Sequence, residues 1–189
     1  MANNTNLITE IMLTPIGRVL NDIKEPMLQA GELDLDPSVR MERIKHYYLQ
    51  VENSLGRLVI QDEWADLLDG IEAFSHIMVL YWPHLVDPKR RQLRRVHPMG
   101  RQDIPLQGIF ATRSPARPNP VLVSVVRLLG RKGNTLSVAG LDAVDGSPLI
   151  DIKPYIKPRG DELRATAPDW MKQLHRDLGI ETKAAGDKP

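Results

Sequence analysis

A chain of 189 residues is sized for one domain with short trimmings, and a single core of that length is stable without covalent staples. It holds no cysteine, which excludes disulfides, thiolate metal sites and thiol nucleophiles and suits a reducing, cytoplasmic setting. A formal net charge of +1 gives no global attraction to a polyanion, no apolar run approaches the ~20 residues of a membrane helix, and the start lacks the basic, apolar, small-residue order of a signal peptide.

Residues 1–12 read as a flexible tail, and 13–20 as a short β-rich run ended by the turn-prone Asn21-Asp22. Asp36 before Pro37 predicts a helix start, and Val39, Ile44, Tyr47, Tyr48 and Leu49 recur at helical spacing, so a helix is expected over about 36–50. Residues 55–60 return to strand. A short helix over 62–71, closed by Gly70, leads into the apolar run His76 to Trp82, whose lack of alternation predicts a central strand buried on both faces. A strand is expected at 108–112 and another at 121–129, with Val121, Val123 and Val125 on one face and Leu122, Val126 and Leu128 on the other. The segment 130–134 is a hairpin signal, 135–139 pairs back, and 149–152 is the last strand. Beyond residue 158 the character changes: Trp170, Leu174 and Leu178 share one side of a terminal helix ended by Gly179, and 181–189 reads as disordered tail. Short, closely spaced strands with few helices predict a mainly β fold, a single closed barrel over 13–158 decorated by two or three helices, with 159–189 as C-terminal appendage. No Gly-x-Gly-x-x-Gly follows a first strand, so a dinucleotide-binding α/β sheet is excluded.

Two stretches carry chemistry. In the loop 113–120, Pro115, Pro118 and Pro120 fix φ and push the preceding residues toward extended backbone, holding Arg113, Ser114, Arg117 and Asn119 on a stiff scaffold suited to a carboxylate or phosphate. Just upstream, Lys89, Arg90, Arg91, Arg94, Arg95 and Arg101 make a local basic cluster, a candidate for polyanion binding, a solvated loop or a subunit contact. Asp142, Asp145 and Asp151 surround one turn: Asp142 is placed to accept hydrogen bonds from a ligand amine or ribose, Asp145 to cap the turn, and Asp151 to pair with Lys153 or a loop arginine. His76 sits within the apolar run and reads as a hydrogen-bonded core residue, His84 just past it is better placed for a ligand, and His97 lies in the basic loop. These histidines lack metal-ligand spacing, and Ser114 and Ser124 lack a nucleophile elbow, so neither a metal hydrolase nor an esterase is expected.

The stretch Gly108-Ile-Phe-Ala-Thr-Arg-Ser-Pro-Ala-Arg-Pro-Asn-Pro120, followed by Leu141-Asp-Ala-Val-Asp-Gly-Ser-Pro-Leu-Ile-Asp-Ile-Lys-Pro-Tyr155, resembles the TsaA-like family that includes the tRNA adenosine N6-methyltransferase TrmO. Ile16-Gly17 and Gly70-Ile71-Glu72-Ala73-Phe74-Ser75-His76 fit as well. The resemblance implies a β-barrel that binds S-adenosyl-L-methionine without a metal, usually as a homodimer, and methylates N6 of threonylcarbamoyl-adenosine beside the tRNA anticodon. The implied cofactor contacts are His84, Leu85, Arg113, Val121, Leu141, Asp142, Ala143 and Val144. Arg90, Arg91, Arg94, Arg95 and Arg117 become candidates for RNA, Asp142 and His84 for the catalytic base, and Arg117 and Asn119 stand also as braces of the loop or of a neighbouring subunit. Ala116, Val121 and Leu122 depart from the family pattern, and loss of a glycine at Leu122 is expected to narrow or reshape the pocket mouth. Two alternatives stand beside this reading: a barrel acting on a small metabolite, and a cofactor-binding sensor or interaction module without turnover.

Overall fold

The computed structural model describes residues 10–26, 37–156 and 166–179, so the Asp36 cap, residues 1–9 of the N-terminal tail and the C-terminal tail lie outside the described residues. Six strands close into an antiparallel barrel: β1 (Gly17–Leu20), β2 (Leu55–Ile60), β3 (His76–Tyr81), β6 (Leu122–Lys132), β7 (Thr135–Ala139) and β8 (Pro148–Pro154). Their neighbour order is β1-β2-β7-β6-β3-β8, with β8 pairing back to β1. A separate two-stranded ribbon joins β4 (Arg95–Val96) to β5 (Gln107–Gly108). Two helices flank the barrel, α1 (Pro37–Glu52) before β2 and α2 (Asp169–Leu178) after β8, and they touch one another.

Period-two alternation decides what enters the barrel. On β3 Ile77, Val79 and Tyr81 are buried while His76 is exposed, and on β6 Val126 is buried while Val123, Val125 and Leu129 face out. The expectation that β3 is buried on both faces is therefore corrected. A closed barrel offers one interior, so Met78 and Leu80 remain on its outer wall, and His76 is a surface residue bonded to Ser75 Oγ through Nδ1 at 3.0 Å. Leu122, from which a narrowed or reshaped mouth was expected, begins β6 opposite Tyr81 and packs against the core.

The barrel ends are distinct. At one, the residues expected to form an α-helix make two 3₁₀ segments, Asp62–Leu68 and Ile71–Ala73, hinged at Gly70 with φ 84°, and they lay Leu68, Trp64 and Ile71 against the core. Arg131 pins this plug, donating to Asp69 Oδ1 at 3.0 Å, Glu72 Oε1 at 3.2 Å and Ala65 O at 3.1 Å. The opposite end receives everything else: α1, the long connection from β3 to β6, and the turn from β7 to β8. Within that connection the strand expected over 108–112 is shorter. Only Gln107–Gly108 pairs, because Ile109–Ala111 turns into 3₁₀ conformation and Thr112 donates its amide to Ile109 O.

Gly17 is fixed by contact rather than by φ. A Cβ there would lie 2.2 Å from Val59 O and 2.9 Å from Ile60 Cα, backbone atoms of the paired strand that cannot move aside cheaply. Gly17→Ala is expected to cost about 2 kcal/mol and to lower Tm by roughly 4–8 °C at this chain length, as read by thermal denaturation.

Candidate functional site

The plug-free end of the barrel gathers the residues singled out from the sequence. Antiparallel order puts the end of β3, the start of β6, the end of β7 and the start of β8 on the same rim. His84 and Leu85 leave β3 there, Val121 enters β6 there, and Leu141–Val144 follow β7 there. Leu141 and Ala143 are buried and anchor the turn, leaving Asp142 between them directed away from the core. His84 is exposed, with Nδ1 3.4 Å from Ser147 Oγ, and Leu85 is 54% exposed.

Two tyrosines hold Asp142. Tyr47 of α1 donates its hydroxyl to Asp142 Oδ1 at 2.5 Å, and Tyr81 at the end of β3 donates to the Asp142 carbonyl while lying 3.4 Å from Ser124 Oγ. Asp142 keeps an exposed outer edge, but its carboxylate is crowded by these groups. Desolvation raises its pKa above the usual carboxylate range, and the Tyr47 hydrogen bond only partly offsets this. Tyr47 and Tyr81 are in turn held un-ionised, chiefly by burial and then by the Asp142 charge. Tyr48 is pushed up by burial and by the Asp142 charge and pulled down by Arg113. Arg113 is exposed and forms no ion pair among the described residues. The site thus offers an available cation, a carboxylate with a single side-chain donor, and apolar surface.

The proline loop is braced from within. Arg117 donates through Nε to Ser114 O at 2.9 Å and through Nη2 to Thr112 O at 2.5 Å and Ile109 O at 3.5 Å, so its guanidinium binds its own loop. Ala116 and Pro120 are buried beneath it. In the basic segment, Arg91 stacks 5.0 Å from the Trp82 ring centroid, whereas Arg94 and Arg95 are exposed without an ion pair among the described residues. His97 Nδ1 lies 2.8 Å from Ile104 O. Arg101, from the same basic run, bonds Asp103 and Asp177 and so ties the loop to α2.

The other acids are structural. Asp145 accepts from the Asn21 amide at 2.9 Å and from Lys24 Nζ at 2.8 Å, bonds that depress its pKa, and Asp151 pairs with Lys153 at 2.5 Å. Sequence reasoning placed Tyr47 and Tyr48 in the helix but gave them no part in the site. No sequence signal singles them out, because positions 100° apart both fit one apolar helix stripe. Among the described residues no group of His, Asp and Glu is arranged to hold a metal, and no helix is long and apolar enough to cross a membrane.

Comparison with known proteins converges on one family. The model of the tRNA-methyltransferase O N-terminal domain matches residues 40–161. A Methanothermobacter thermautotrophicus protein named "Probable S-adenosyl-L-methionine-binding protein" is 55% identical over 93 residues, covering 49% of this chain and 64% of that protein. An Archaeoglobus fulgidus S-adenosyl-L-methionine-binding protein is 47% identical over 103 residues, covering 54% of this chain and 70% of its own. A crystal structure of TrmO superposes with a TM-score of 0.59 at 28% identity, covering 84% of this chain and 63% of that one. The chain thus matches less than two-thirds of the Methanothermobacter relative and of the crystallised TrmO. Barrel, rim motifs and matched segment together place this chain in the family of the tRNA-methyltransferase O N-terminal domain.

Proposed function

We propose that the protein is an S-adenosyl-L-methionine-dependent methyltransferase whose acceptor is N6 of threonylcarbamoyl-adenosine beside the tRNA anticodon. The observation that carries this reading is Asp142 held by Tyr47 and Tyr81 on the barrel rim to which the connection carrying Arg113 returns. That donor set fits the cofactor: a guanidinium for its carboxylate, a carboxylate for its amine or ribose, and Leu85 and Val121 as apolar surface.

When bound, S-adenosyl-L-methionine supplies an electrophilic methyl group on a sulfonium, so the protein's task is alignment of donor and acceptor. Arg113 orients one end of the cofactor. Tyr81, bonded to the Asp142 carbonyl, fixes the turn that presents the carboxylate. A carbamoylated adenosine nitrogen is a weak nucleophile until its proton is removed, and Asp142, whose pKa is raised by crowding, is the base nearest the tyrosine cluster, with His84 the second candidate. The exposed Arg94 and Arg95 attract the phosphate backbone. Homodimer formation belongs to the same reading, with Val123, Val125 and Leu129 on the outer face of β6 as apolar surface for it.

Incubation with methyl-labelled S-adenosyl-L-methionine and tRNA carrying the threonylcarbamoyl group is expected to label that nucleoside. A cofactor-bound protein that leaves it unlabelled sinks the assignment. A small-metabolite acceptor is the second reading, favoured by the way Tyr47 crowds the Asp142 carboxylate. It predicts label in a metabolite extract and none in RNA.

A further inference from the structure

We infer that Phe110 is a stacking platform for an unpaired nucleobase of the RNA acceptor, a role that rests on the tRNA reading above. Phe110 is 80% exposed, by far the most exposed aromatic side chain among the described residues. An exposed phenyl ring is unfavourable in water, and here the backbone beneath it is unusually well held. Ile109 is buried and donates its amide to Arg94 O at 2.9 Å, Thr112 donates from both N and Oγ1 to Ile109 O, and Arg117 clamps the Ile109 and Thr112 carbonyls. Ser114 N donates in turn to Thr112 Oγ1 at 3.2 Å. The ring is therefore mounted on a rigid turn, and little ordering entropy is lost when a partner settles on it.

The surroundings identify the partner by charge. The turn follows β5, whose Gly108 pairs with Arg95 of β4, and Arg94 anchors its first amide, so the backbone that carries the ring is bonded to that of two exposed arginines with no ion pair among the described residues. On the other side Arg113 follows three positions later, at the start of the proline loop. An exposed aromatic ring on a turn bonded to an arginine-bearing strand complements a base and its flanking phosphates, the pattern by which proteins hold unstacked nucleotides. An apolar protein partner would leave those arginines without counter-charge.

The test uses the full chain and an RNA hairpin with a seven-nucleotide loop of anticodon type, with binding followed by fluorescence anisotropy at fixed salt. Phe110→Ala is expected to weaken binding about 10-fold, within the range of one lost base stack, while Phe110→Trp stays within about 3-fold of wild type. Neither change should move Tm or S-adenosyl-L-methionine affinity, since the side chain is exposed. Arg95→Ala should weaken binding and flatten its salt dependence. Wild-type RNA affinity in Phe110→Ala overturns the proposal while leaving the methyltransferase reading intact. So does a loss of dimer in Phe110→Ala, which would place the ring against a second copy. Wild-type protein that binds S-adenosyl-L-methionine but no RNA overturns both this proposal and the tRNA acceptor.

Discussion

Arg113→Ala is expected to weaken S-adenosyl-L-methionine binding about 100-fold or more in calorimetry, with the barrel still folded. Arg113 is exposed and makes no ion pair among the described residues, so its removal breaks no internal contact of that kind and leaves no buried charge behind. The whole effect should therefore appear in ligand affinity. Truncating one side of a hydrogen-bonded charge pair in a partly desolvated site typically costs 2–5 kcal/mol, and about 2.7 kcal/mol is the 100-fold stated here. Arg113→Lys separates charge from geometry. An ammonium keeps the attraction but cannot grip a carboxylate with two parallel donors, so recovery should be partial, to within about 10-fold of wild type. If Arg113→Ala binds the cofactor as wild type does, the carboxylate contact lies elsewhere, and the assignment of this rim loses its main cation.

The difference between Arg113 and Arg117 is partly legible in the sequence. Both stand in one proline-stiffened loop, and composition gave both as anion-binding guanidiniums. The folded loop separates them as the bracing reading of Arg117 expects, since the carbonyls of Ile109, Thr112 and Ser114 accept from Arg117 and none accepts from Arg113. The barrel was far more legible, since alternation along β6 and β7 and the turn chemistry at Gly133 are local signals. The 108–112 segment misled because apolar Ile-Phe-Ala fits a strand by composition, while the hydroxyl of Thr112 bonds back to Ile109 O and favours a tight turn. The tyrosine cluster was invisible for a different reason. It requires α1 to lie across the rim so that Tyr47 reaches Asp142, 95 positions later in the chain, and no periodicity encodes that packing.

Asp142→Asn is expected to stabilise the free protein while reducing methyl transfer about 100-fold, two opposite effects from one carboxylate. Crowding holds the folded pKa of Asp142 above its unfolded value. A carboxylate shifted upward favours the folded state only below its unfolded pKa, and that advantage is lost as pH rises through the folded pKa. At neutral pH the native protein therefore holds a charge that its surroundings disfavour. Asparagine keeps an oxygen to accept from Tyr47 but removes the charge, so Tm should rise by roughly 1–4 °C at pH 7. The difference should shrink toward zero below about pH 4, where the wild-type side chain is itself protonated. Comparing the two proteins cancels Asp103, Asp145 and Asp177, whose pKa values are depressed by their cationic partners and whose contributions fade on acidification in both. Activity should move the other way, because an amide cannot accept the acceptor's proton or balance a cationic ligand. A Tm gain that does not change with pH would show that the carboxylate is not strained by burial. Unchanged turnover in Asp142→Asn would transfer the proton-accepting role to His84.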